Sequence, residues 1–74
     1  MEELVEKSKK GDNQVFSDLI ISIENELYKI ARTRLRNEDD IKEAVQETIV
    51  KSFSSIKKLR NSKFFKTWII KILM

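Results

Sequence analysis

The stretch FSDLIISIENELYKIARTRL, residues 16–35, decides the fold. Its apolar side chains fall at Phe16, Leu19, Ile20, Ile23, Leu27, Ile30, Ala31 and Leu35, the three-and-four spacing of one buried stripe on a helix. A stripe of that length must be covered, and the sequence on either side supplies the cover as further helices. Upstream, residues 2–10 form a short helix with acids in its first turn and lysines in its last, the order the helix dipole favours. Gly11 offers the left-handed stop that ends it, and Asp12 is the predicted N-cap of the long helix.

Downstream, Asn37-Glu38-Asp39-Asp40 breaks the stripe. Asp40 followed by Glu43 predicts a reciprocal cap, with Asp in place of Ser or Thr. A third helix then carries Ile41, Ala44, Val45, Thr48, Ile49, Ser52, Phe53 and Ile56 on one face, and Glu43, Gln46, Glu47, Val50, Lys51 and Ser54 on the other. Lys57 to Lys63 is a basic junction, with Ser62 as the predicted cap of a fourth helix. That helix aligns Phe64, Phe65, Trp68, Ile69, Ile72 and Leu73, while Ile70 projects off the stripe among lysines. No proline and a single glycine leave little to interrupt helix. The expectation is an all-α bundle of about four helices, one domain over residues 1–74.

Ile69 to Met74 has neither a C-capping residue nor a polar finish, so the last helix reads as truncated and the domain as incomplete at its C-terminus. An apolar stripe left open there predicts self-association that buries Trp68, or a marginal monomer.

Composition narrows the chemistry. The chain has no cysteine and no histidine, which removes disulfides, thiolate zinc sites and the commonest general base. No glycine-rich loop can cradle a phosphate. No catalytic residues, no cofactor and no metal are expected. Residues 2–10 are too charged for a signal peptide, and no apolar run approaches the roughly 20 residues that span a bilayer, so no membrane association and a cytoplasmic location are expected. Charge is divided along the chain: residues 1–47 hold eight bases against twelve acids, net −4, whereas residues 48–74 hold seven bases and no acid, net +7. A basic C-terminal part of this kind suits a polyanionic partner.

Three stretches in order resemble region 2 of the bacterial sigma-70 family. Leu4-Val5 with Lys10-Gly11-Asp12 and Phe16 is similar to the family's opening, leading into Leu27-Tyr28-Lys29-Ile30-Ala31. Glu43-Ala44-Val45-Gln46-Glu47-Thr48 is similar to the D-x-V-Q-E-T/V signature, with Glu43 where many relatives have Asp. Phe65-Lys66-Thr67-Trp68-Ile69 is similar to F-x-T-W-L; Ile69, standing where primary sigma factors have a second Trp, favours the extracytoplasmic-function class.

The resemblance implies recognition and not catalysis. It makes Glu43, Gln46 and Glu47 contacts to the clamp helices of the beta-prime subunit of core RNA polymerase, with Val50 their neighbour by spacing. It makes the basic junction and fourth helix the part that melts the promoter minus-ten element and holds its single-stranded non-template strand. Lys57, Lys58, Arg60, Lys63, Lys66 and Lys71 would take phosphates, and Asn61 and Ser62 would meet an extruded base. Phe65 and Trp68 match positions where primary sigma factors carry melting aromatics. Both also lie on the apolar stripe, and for Trp68 the core role is the favoured reading. The alternative is a helical module that binds polymerase or an anti-sigma factor without touching DNA.

Overall fold

The computed structural model describes residues 1–74, folded as four α-helices with no strand: α1 (Glu2–Lys9), α2 (Asn13–Arg32), α3 (Glu38–Ser55) and α4 (Phe65–Leu73). Two 3₁₀ turns, Ile56–Lys58 and Ser62–Phe64, lie between α3 and α4. Helix α2 is the spine against which the other three pack. Thirteen side chains, from all four helices and from Ile56 and Leu59 of the α3–α4 connection, form a single core, with Val5, Leu19, Ile23, Leu27, Ile41, Val45, Phe65 and Ile69 almost wholly out of water.

The junction of α1 and α2 follows from three residues. Gly11, at φ +102, turns the chain in the left-handed region that a glycine enters without steric cost. Its N–H donates to the Ser8 carbonyl at 3.0 Å and that of Asp12 to the Lys7 carbonyl at 3.2 Å, the paired bonds of a Schellman motif. Asp12 then serves the next helix, its carboxylate accepting from the Val15 N–H at 3.1 Å as the sequence predicts.

Two helix boundaries differ from expectation. Helix α2 ends at Arg32: the Thr33 hydroxyl donates to the Ile30 carbonyl at 2.6 Å, and the N–H groups of Arg34 and Leu35 both turn back to Ala31. Leu35 therefore reaches the core from a loop. Helix α3 is capped by Asn37 and not by Asp40, for the Asn37 amide oxygen accepts from the N–H of Asp39 at 2.8 Å and of Asp40 at 3.4 Å. Capping three residues earlier puts Glu38, Asp39 and Asp40 all in the first turn, where the partial positive charge of the helix end stabilises carboxylates.

The buried face of α3 is Ile41, Val45, Thr48 and Ser52, and its two hydroxyls donate to the carbonyls of Ala44 and Ile49 within their own helix. Phe53, expected on that face, is half exposed; its ring meets Phe16 edge-on, centroids 5.1 Å apart, at the rim of the α1–α2 turn. Helix α4 is rotated from its expected setting. Phe65 and Ile69 are buried, Trp68, Ile70 and Leu73 pack partly against the core, and Phe64 points away from it. The stripe expected to lie open on the last helix thus faces its own core, and Ile70 is part of that packing.

Candidate functional site

On the outer face of α3, Glu43, Gln46, Glu47 and Val50 line one shallow depression with Lys51. Their spacing of three and four is what brings them into a single row, because the buried Ile41–Val45–Thr48–Ser52 row fixes the opposite side. All four are exposed, Val50 by 68%. The ion pairs of the chain are Lys9 with Glu6, Arg32 with Glu38 and Lys66 with Glu26, so the two carboxylates of this ridge are uncommitted. Two acids flanking a glutamine form an acceptor-rich surface suited to guanidinium groups on a partner helix.

The basic junction is built on a threefold rhythm. Ile56, Leu59, Ser62 and Phe65, each three residues from the last, turn inward and are buried. Between them Lys57, Lys58, Arg60, Asn61, Lys63 and Phe64 face solvent. The two 3₁₀ turns are separated by extended backbone at Leu59 and Asn61, and Leu59 between them is an anchor that the run of bases conceals. Asn61, and not Ser62, caps here, and it caps the Ser62–Phe64 3₁₀ turn, its side-chain oxygen accepting from the Lys63 N–H at 3.0 Å; α4 itself has no side-chain cap.

Ser62, expected to meet a base, is instead buried, and its hydroxyl donates to the Glu6 carboxylate of α1. The ammonium of Lys9 lies 3.5 Å from the same carboxylate oxygen. Through this contact α1 holds the junction from beneath. It also places Glu2, Glu3 and Glu6 in one open depression with Arg60 and Asn61. The charge division seen along the sequence is therefore incomplete in space, since acids from the first helix border the basic junction.

Of the six candidate phosphate-binding cations, Lys57, Lys58, Arg60, Lys63 and Lys71 are exposed and unpaired, while the Lys66 ammonium sits 3.1 Å from Glu26. Phe65, proposed from sequence for either stacking or core, is 1% exposed and belongs to the core. Trp68 is half buried against it, ring centroids 6.0 Å apart. No group of acids could hold a metal ion, and no helix is long and apolar enough to cross a membrane.

Residues 19–74 match the family model for Sigma-70 region 2. The chain is 32% identical over 68 residues to the RNA polymerase sigma factor SigV of Bacillus subtilis (strain 168), covering 92% of this chain and 41% of that protein. It is 33% identical over 69 residues to the ECF RNA polymerase sigma-E factor of Haemophilus influenzae, covering 93% and 36%. It is 24% identical over 68 residues to the ECF RNA polymerase sigma factor SigW of Bacillus subtilis, covering 92% and 36%. The chain thus spans about two fifths of the length of the curated relatives it matches. No solved structure matches it.

Proposed function

Because this chain belongs to the sigma-70 family as a region 2 domain, we propose that it acts in transcription initiation, docking on core RNA polymerase through α3 and handling the promoter minus-ten element with residues 57–71. The family is not an enzymatic one. Glu43, Gln46, Glu47 and Val50 are assigned to the clamp helices of the beta-prime subunit. Lys57, Lys58, Arg60, Lys63 and Lys71 are assigned to phosphates of the single non-template strand, and Asn61 to an extruded base. The observation that carries the reading is the pairing of an uncommitted acceptor ridge on α3 with five unpaired cations around the junction.

Two measurements test the two halves separately. Binding to a beta-prime clamp-helix fragment should weaken about tenfold or more on Gln46→Ala or Glu47→Lys, as hydrogen bonds to charged groups are worth about 1.5–3 kcal/mol. Unchanged affinity would remove the docking face. Affinity for a single-stranded minus-ten oligonucleotide should fall with salt at a log–log slope of about −3.5, if five cations each displace counterions from a single strand. A flat salt response would remove the DNA half.

A second reading is favoured by the acids of α1 beside Arg60. In it the chain binds polymerase, or an anti-sigma factor, and never touches DNA. It predicts full clamp-helix affinity together with that flat salt response.

A further inference from the structure

We infer that the cleft between the α1–α2 turn and the end of α3 is a binding site for a small organic carboxylate. The cleft has a volume of about 280 Å³. Ser8, Asn13 and Phe16 line it from the first two helices, Phe53 from α3, and Ile56 and Lys57 from the turn that follows. Ser8 is the residue that points to a ligand. It is 5% exposed, and its hydroxyl is the one buried side-chain polar atom of the chain without a hydrogen-bond partner. The other buried hydroxyls are all engaged: those of Thr48 and Ser52 donate to carbonyls of α3, and that of Ser62 to Glu6. A buried hydroxyl left unpaired is destabilising, and native folds keep few of them.

The lining sets the chemistry of the ligand. Its one full charge is the Lys57 ammonium, which forms no ion pair, and no acid is part of it. Asp12 lies outside the lining, its carboxylate taken by the Val15 N–H. Asn13 opens α2, a helix of 20 residues, and its N–H makes no bond within the chain, so the positive end of that helix adds to the field. A hydroxyl, an amide and an ammonium with no competing carboxylate select an anion. Phe16 and Phe53, edge-on with centroids 5.1 Å apart, and Ile56 offer a surface for its apolar body. An inorganic anion would answer the polar groups and leave that surface bare, whereas a carboxylate on a small aromatic body answers both. Lys57 is also the first of the cations assigned to the strand, so an occupied cleft withdraws it from DNA. That consequence rests on the promoter reading above; the site itself does not.

The probe is sodium benzoate, titrated into the full chain at constant ionic strength and followed by amide-resolved NMR. Benzamide serves as the neutral ring and sodium acetate as the anion without one. Benzoate should give saturable shifts at Ser8, Gly11, Asn13 and Lys57, and the other two much weaker ones. Ser8→Ala should weaken benzoate binding about 10- to 150-fold, the range for a hydrogen bond to a charged group. It should melt no lower than the unaltered chain, because it removes an unpaired buried hydroxyl. Lys57→Gln should weaken benzoate and leave benzamide as it was. With benzoate saturating, the salt slope for the minus-ten oligonucleotide should ease from about −3.5 to about −2.8, one cation fewer. Shifts that never saturate, that gather instead on Arg60 and Lys63, or that persist undiminished in Ser8→Ala would overturn the site. An unchanged slope at saturation would overturn the competition with DNA alone. If the unaltered chain shows no salt-dependent binding of the oligonucleotide, the promoter reading falls and the benzoate titration still decides the site.

Discussion

Replacing Phe65 with leucine separates a core ring from a DNA-facing one. Phe65 is 1% exposed and shares a tilted contact with Trp68, centroids 6.0 Å apart. Truncation to alanine would cost about 3–5 kcal/mol. At roughly 0.05–0.15 kcal/mol per residue, a chain of 74 residues has only about 4–11 kcal/mol to lose, so alanine would leave much of it unfolded. Leucine keeps most of the buried volume and forfeits the aromatic contact, worth about 0.5–1.5 kcal/mol, plus the small void that remains. The expected loss is about 1–2 kcal/mol, which lowers the melting midpoint by about 4–16 °C at the usual 4–8 °C per kcal/mol for domains of this size. Thermal and urea unfolding followed by far-UV circular dichroism and by Trp68 fluorescence would read it, with the two probes coincident and the urea slope unchanged. Oligonucleotide affinity well below the midpoint should match that of the unaltered chain. An unshifted midpoint with reduced oligonucleotide affinity would refute the reasoning, because it would place the ring on the strand.

Three further outcomes follow from the local geometry. Gly11→Ala should cost about 1 kcal/mol or somewhat more in a thermal melt, purely through the backbone, because a Cβ at Gly11 meets nothing within 4 Å. Asn37→Ala should lose about 0.5–2 kcal/mol in urea unfolding as α3 loses its cap, and Asp40→Ala clearly less. Glu6→Ala and Ser62→Ala should each lower stability in urea unfolding by about 1–3 kcal/mol while sparing affinity for the clamp-helix fragment. Combined they should add little, a coupling within about 0.5–3 kcal/mol in a double-mutant cycle; fully additive losses would show that the two side chains act separately.

The α3 ridge was legible in the sequence because it belongs to a regular helix. Once Ile41, Val45 and Thr48 are set inward, the period of 3.6 forces Glu43, Gln46 and Glu47 outward. Asp12 and Gly11 were legible as local chemistry, each acting within a few residues of itself. The junction was not, because its period is three. Ile56, Leu59, Ser62 and Phe65 mark that spacing inside a run of bases, and Phe64, placed on the buried stripe beside Phe65, belongs instead to the 3₁₀ turn that precedes α4. The choice between Asn37 and Asp40 turned on how many acids the first turn would gather, which capping preference alone does not weigh. The Glu6–Ser62 contact left no trace in local pattern, since the partners are 56 positions apart. For the same reason a charge division counted along the chain did not foresee acids of α1 standing beside Arg60.

That contact has a thermodynamic consequence. Bringing together the ends of a 56-residue loop costs about 3.6 kcal/mol in chain entropy before any constant term. One hydrogen bond to a carboxylate returns about 1.5–3 kcal/mol, so Glu6 has too little to recruit Ser62 unaided. The bond can close only after helix pairing has already carried α1 across the spine, which makes it a gauge of completed assembly. Weakening the interior anywhere should therefore slacken the arch between Leu59 and Phe65 early, while the α3 row, stiffened by its own backbone ladder, stays in register.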